Sequence, residues 1–224
     1  MNLSKRDQLL RNRIEKIDSS KPDQPLIFKA AQIITAGGIV AYPTETFYGL
    51  GVDAFNVHAI ERIYYIKKRD PSKPILVIIE NQRYLKELVS DVPPLARKLI
   101  KRFWPGPLTI IFKASPKVPA ILTGNTGTIG MRISNHPVAL ELVRAVGRPI
   151  TATSANISGQ LGLVNALDVF KTFKHQLDLI LDGGVTQGKK GTTIVNIALD
   201  PPRIVREGVI SSKEIQQYLV SSKG

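Results

Sequence analysis

Apolar side chains recur along this chain at two spacings, helical and continuous, and Gly and Pro separate the segments that carry them. From Leu26 to Ile34 the apolar positions fall at helical intervals, and Gly37-Gly38 suits the end of that helix. Ile39 to Tyr42 then reads as a buried strand ending at Pro43. A second helix is predicted from Asn56, a good N-cap, through Ile60, Ile63 and Tyr64 to the cluster Lys67-Lys68-Arg69. Past Pro71 and Pro74, Ile75 to Ile79 is the next strand. Helices are predicted over 82–89, 94–103, 137–146, 165–174 and 212–220, the last opened by the capping box Ser211-x-x-Glu214. Further strands are predicted over 108–112, 127–133, 149–153, 177–181, 192–197 and 204–206. Strands mixed with helices, several joined by short links, predict an α/β fold with a twisted mixed parallel/antiparallel sheet flanked by helices. A pure βαβ order is disfavoured.

Composition agrees with a folded soluble chain: of 224 residues, 43% are hydrophobic and 22% charged. The longest apolar run, Ile75 to Ile79, falls far short of the roughly 18–20 residues that cross a bilayer, so no membrane span is expected. Residues 1–24 are polar and basic, unlike a secretory signal, which predicts a cytoplasmic protein. They are expected to form a basic leader, a loosely attached helix or arm, ahead of one domain over 25–224. The absence of cysteine removes disulfides, thiolate nucleophiles and Cys-based metal sites. Histidines at 58, 136 and 175 are too far apart for an H-x₃-H pair, so no metal site is expected. What stands out is charge: 31 Lys+Arg against 18 Asp+Glu, a formal net charge of +13. That implies an anionic partner, whether nucleic acid, nucleotide or acidic lipid.

Chemistry concentrates where predicted strands end. Tyr42-Pro43-Thr44-Glu45-Thr46-Phe47-Tyr48-Gly49-Leu50-Gly51 leaves the first strand with hydroxyls, a carboxylate and glycines, which suits either a ligand-facing loop or a tight turn with local side-chain bonding. Lys67-Lys68-Arg69 closes a helix, where the macrodipole favours each cation by about 0.3–1 kcal/mol without any function. Arg97-Lys98-x-x-Lys101-Arg102 reads as a solvated helix face. Arg132 ends an otherwise uncharged strand and suits an anion clamp or an ion pair; His136, with no second histidine nearby, is left out of the site. Thr151 to Gly159 is a dense run of small hydroxyl and amide residues able to ring a phosphate or ribose. Asp182-Gly183-Gly184, Gly191-Thr192-Thr193-Ile194 and Arg206-Glu207-Gly208 continue the pattern. Neither a Walker P-loop nor G-x-G-x-x-G occurs, and no G-x-S-x-G elbow surrounds Ser154, so covalent serine catalysis is disfavoured.

Six segments occur together and in order: Pro43-Thr44-Glu45-Thr46-x-Tyr48-Gly49-Leu50, Lys67-x-Arg69, Trp104-Pro105-Gly106-Pro107-x-Thr109, Arg132-x-x-x-His136-Pro137, Ser154-Ala155-Asn156 and Thr193-Ile194. On these motifs the chain resembles the YrdC-type threonylcarbamoyl-AMP synthase family over about residues 25–220. The resemblance implies a mixed α/β sheet around a deep, basic concave site. It implies an enzyme, a nucleotidyltransferase making L-threonylcarbamoyladenylate and pyrophosphate from L-threonine, bicarbonate and ATP, for tRNA N6-threonylcarbamoyladenosine modification. ATP is then a substrate accompanied by Mg²⁺, with no tightly bound cofactor, and partners include the other enzymes of that tRNA pathway.

Position by position, the resemblance implies Lys67, Arg69, Ser154 and Asn156 as the catalytic set, with Lys67 and Arg69 neutralising phosphates and carbamate and Ser154 and Asn156 donating to phosphate oxygens. Thr44, Arg132, Ala152 and Thr192 are implied as L-threonine contacts, and Lys67, Thr128, Ser154 and Arg206 as ATP contacts. Two positions depart from the pattern: Ile78 stands where archaeal and eukaryotic members tend to carry His, and Thr192 where many carry Ser. The chain is similar to the short, single-domain form. A paralogue with an altered substrate and a non-catalytic protein binding structured RNA through phosphates remain the alternatives, the latter because 6% aromatic residues leave few stacking platforms for single strands.

Overall fold

The computed structural model describes residues 13–220. Side-chain caps start its helices where the sequence calls for them. The Asp23 carboxylate accepts from the Leu26 N–H and opens α1, Gln24–Thr35; Asn56 Oδ1 accepts from Ala59 N–H at 3.0 Å and opens α2, Val57–Lys67. α2 stops because Lys68 turns into the left-handed region at φ 49°, and this turn points the following Arg69 back towards the body of the protein. The predicted 82–89 helix is a 3₁₀ turn, Gln82–Tyr84, running into the short α3, Leu85–Leu88. Next come α4, Pro94–Phe103, α5, Pro137–Val146, α6, Ala166–Phe173, and α7, Ser212–Val220. Ser211 Oγ accepts from Glu214 N–H at 3.2 Å, which is one half of the expected capping box, and Glu207 accepts from the Ser212 N–H at 2.9 Å.

The mixed sheet is divided in two. One sheet has the order β1-β9-β2-β3-β8, from Ile14–Lys16, Leu179–Asp182, Val40–Pro43, Tyr48–Gly51 and Thr153–Ser154. The other has the order β11-β10-β5-β6-β4-β7, from Arg203–Arg206, Thr193–Asn196, Leu108–Lys113, Thr128–Arg132, Val77–Ile78 and Ile150–Thr151. Both combine parallel pairs, such as β9 with β2 and β10 with β5, with antiparallel ones, such as β2 with β3 and β5 with β6. The strand predicted over 149–153 belongs to both sheets: it pairs with β4 up to Thr151, crosses at Ala152, and pairs with β3 from Thr153. Ala152 N–H donates to Leu76 O at 2.7 Å at the crossing.

Two expectations change. Within the expected leader, Ile14–Lys16 is a strand lying parallel to β9, with Ile14 opposite Ile180, in place of a helix or loose arm there; the leader up to residue 12 lies outside the described residues. Tyr48–Gly51 is a strand and not an open loop, antiparallel to β2 through a turn at 44–47. Its glycines serve packing: a Cβ on Gly51 would stand 2.8 Å from the Tyr42 ring and one on Gly49 3.1 Å from it.

β2 explains why its sequence is apolar throughout. Ile39 and Ala41 face a large core that α2, α4 and α6 cover, while Val40 and Tyr42 face a second core beneath α1 and α5. The helix face Arg97-Lys98-Lys101-Arg102 is solvated as expected, with Arg102 3.4 Å from Glu214. Among the described residues no helix is long and apolar enough to cross a membrane.

Candidate active site

A cleft of about 480 Å³ opens where the two sheets meet. The β2–β3 turn contributes Thr44 and Thr46, the end of α2 contributes Arg69, and the sheet crossing contributes Ala152 and Ser154. The opposite wall holds Arg132 at the end of β6, Thr192 before β10 and Arg206 at the end of β11. Seven of the residues expected from the resemblance therefore line one cavity. A wider groove of about 690 Å³ beside α4 contains none of them.

Three expected residues do not line the cleft. Thr128 shares the face of β6 with Arg132 but stands four residues away, roughly 13 Å along a strand, and its hydroxyl bonds to that of Thr126. Lys67 and Asn156 lie behind the wall, 1% and 7% exposed. Lys67 Nζ donates to Ser154 O, to Asn156 O at 2.8 Å and to Asn156 Oδ1 at 3.1 Å. Asn156 Nδ2 donates to Ile157 O and Gln160 O. Ser154 spends its single hydroxyl proton on Asn156 Oδ1, at 2.6 Å. In this arrangement neither Ser154 nor Asn156 has a side-chain donor left for a phosphate, and the ammonium of Lys67 is saturated by acceptors. The three side chains tie the end of α2 to the 154–156 loop.

Burial, and then the charge of Arg69, pull Lys67 down to about 7. The three acceptors act the other way, since only the ammonium supplies three N–H donors. Arg69 is lowered chiefly by burial; its Nε and Nη2 donate to Lys73 O and Pro74 O. Arg206 donates from Nε and Nη2 to Thr192 O and also reaches Thr192 Oγ1, and burial followed by the like charge of Arg132 lowers it. Like charges brought together in this way are relieved by an anion.

Arg132 has the opposite surroundings. Its Nε donates to Glu45 Oε1 at 2.9 Å, and Ser134 Oγ donates to Glu45 Oε2. Burial raises Glu45, but Arg132 and Ser134 outweigh it and hold the carboxyl below its usual range. The ion-pair reading of Arg132 is therefore realised; the pair uses one nitrogen and leaves the Nη edge without a hydrogen bond to another described residue. His136 stands beside this network, its backbone N–H on Ser134 Oγ; its Nδ1 is buried without a partner, and burial lowers the ring below the usual histidine range against the opposing charge of Glu45.

The turn carries a directed chain of hydroxyls. Thr44 Oγ1 donates to Phe47 O at 2.6 Å, so the 3.2 Å contact with Thr46 Oγ1 makes Thr46 the donor. Thr46 then presents acceptor lone pairs to the cleft, which suits an amine or hydroxyl. Thr46 and Phe47, within the segment singled out from sequence though given no role there, line the cavity, and so do Leu161, Lys189 and Lys190, which were not singled out. Lys189-Lys190 between Gly188 and Gly191 is a local signal for a cationic loop; no local pattern marks Leu161. Among the described residues no three His, Cys, Asp or Glu gather as a metal site, and both oxygens of Glu45 are engaged, so the cleft wall offers Mg²⁺ no carboxylate.

The family model described as telomere recombination, Sua5/YciO/YrdC, matches residues 32–208. A threonylcarbamoyl-AMP synthase of Pyrococcus abyssi is 38% identical over 190 residues, 85% of this chain and 56% of that protein. One of Bacillus subtilis is 36% identical over 207 residues, 92% of this chain and 60% of that protein. The crystal structure of P. abyssi Sua5 complexed with L-threonine superposes with a TM-score of 0.88 at 36% identity, covering 92% of this chain and 60% of that one. The chain thus spans less than two thirds of the length of these relatives.

Proposed function

Because the chain belongs to the Sua5/YciO/YrdC family, we propose that it is an L-threonylcarbamoyladenylate synthase, a nucleotidyltransferase using L-threonine, bicarbonate and ATP in the cytoplasm. The observation that carries this reading is the set of cations in one cleft: Arg69, Arg206, Lys189 and Lys190 line it together with a single acid-paired arginine, Arg132. That is a site for two anions of different charge, a polyphosphate and a carboxylate.

The threonine nitrogen attacks the carbon of bicarbonate and, with loss of water, gives a carbamate. A carbamate oxygen then attacks the α-phosphorus of ATP, and the bond to the β-phosphate oxygen breaks to release pyrophosphate. Neither step needs a protein nucleophile; both need anions held together in a fixed geometry. Arg132 holds the threonine carboxylate through its Nη edge, and Thr46 accepts from the substrate amine or hydroxyl. Arg69, Arg206 and the two lysines hold the triphosphate, while Lys67 and Asn156 keep Ser154 and its loop in place. Mg²⁺ arrives with ATP on phosphate oxygens. The adenylate product is consumed by the other enzymes of tRNA threonylcarbamoyl modification.

The test is pyrophosphate release from ATP and bicarbonate with each amino acid in turn. L-Threonine is expected to give the largest rate, and the rate should collapse in Arg69→Ala by about 100-fold or more. Absence of a threonine preference overturns the assignment.

A further inference from the structure

Glu45, the acid that backs Arg132 in the cleft wall, has no part in the chemistry above, yet both its oxygens are held. The side chains of Arg132 and Glu45 are 4% and 11% exposed. Glu45 accepts from Arg132 Nε at 2.9 Å and from Ser134 Oγ, and Ser134 Oγ itself accepts from the His136 N–H. Both carboxylate oxygens are thus fixed, one from β6 and one from the segment after it. An arginine gripped at Nε is restrained from turning about its long axis, and Arg132 lines the cleft with its Nη groups unbonded to any other described residue. The other arginines of the cleft, Arg69 and Arg206, are held by carbonyl oxygens and by no carboxylate, so they keep their full charge.

We propose that Glu45 is a positioning residue that aims the Nη edge of Arg132 into the cleft and, by cancelling its charge, reserves that arginine for a carboxylate while the polyphosphate is drawn to Arg69 and Arg206. The inference rests on the synthase reading for the identity of the two anions. A neutral Arg132–Glu45 pair still offers the two parallel donors that fit a carboxylate, but it lacks the net charge that would compete for a polyphosphate several times more charged. Without the acid, Arg132 and Arg206 would form one continuous cationic surface.

Removing the side chain as Glu45→Ala leaves a buried arginine unpaired and endangers folding. The near-isosteric Glu45→Gln removes the charge and keeps an acceptor, so it carries the test. In pyrophosphate-release assays Glu45→Gln should raise the threonine KM roughly tenfold while the ATP KM changes by less than about twofold. ATP in excess should become a competitive inhibitor against threonine in Glu45→Gln and not in the wild type. A purely structural role would lower the active fraction and leave both KM values and the inhibition pattern unchanged, and that result overturns the proposal. A wild type without threonine-dependent turnover overturns the synthase reading instead. The Arg132 Nε–H resonance, assigned by its loss in Arg132→Lys, then decides the positioning independently: slow exchange that quickens in Glu45→Gln upholds it, and fast exchange in the wild type overturns it.

Discussion

Lys67 shows how far single residues can be read. Its place in a helix-end cluster with Lys68 and Arg69 was legible, and the macrodipole alone would have explained it. That one of these cations is buried against three oxygen acceptors was not legible, because the acceptors lie in a loop 87 and 89 residues away. Replacing Lys67 with Met keeps the bulk and strands those acceptors, which should cost about 2–4 kcal/mol in urea unfolding. The pH dependence has a definite sign. The group gives up its proton at about 7 in the folded chain and at roughly 10.4 when unfolded, so between these values the unfolded state binds more protons. Its contribution to stability therefore rises with pH across that window. The urea midpoint of the wild type should climb from neutral to alkaline pH relative to that of Lys67→Met; parallel profiles would show that Lys67 stays charged in the folded protein. That Arg132 at its strand end could form an ion pair was legible, whereas the identity of its partner among 18 acids was not.

Elements were legible where a side-chain cap or an unbroken apolar run announced them. Asn56 marks the start of α2 in sequence and in structure. Asn56→Ala should cost about 1 kcal/mol and loosen the helix that carries Lys67 and Arg69, read as a lower thermal midpoint with a raised ATP KM. Strand β3 was missed because Gly49 and Gly51 read as loop residues; they lie in a strand because the Tyr42 ring covers them, a packing fact that no periodicity reports. Gly51→Ala should be destabilising by about 1–3 kcal/mol, checked by denaturant unfolding, since its Cβ would meet ring atoms held by the bond from Tyr42 Oη to Thr151 O. The strand Ile75–Ile79 shortens to Val77–Ile78 although all five residues were read alike. Its neighbours β6 and β7 both overlap it at Val77 and Ile78, and the length of a strand is set by its partners as much as by its own sequence.

For the whole molecule, the α/β class and the mixed pairing followed from the order of elements, while the division into two sheets did not. That division makes the cleft, and it depends on pairings such as β1 with β9 that join residues 166 positions apart. The charge of +13 could announce an anion but not its place. Part of that charge now has an address, since four unpaired or weakly paired cations share the cleft with Arg132. Pyrophosphate should therefore raise the melting temperature by mass action, an effect worth about 2.7 kcal/mol at a hundred times its Kd, and added salt should weaken it. Arg206→Ala should remove most of that shift in a thermal unfolding series; a full shift in the variant would exclude Arg206 from the polyphosphate site.

The crossing at Ala152 acts as a ruler laid across the seam between the sheets. Thr151 is turned inward to Leu50 O, while the next three residues, Ala152, Thr153 and Ser154, line the cavity. A single residue inserted after Thr151 would shift the register of all that follows, carry Ser154 out of its place in the cleft and pull the Asn156 acceptors out of reach of Lys67. Substitutions here change one contact each, whereas a change of length rewrites both walls together.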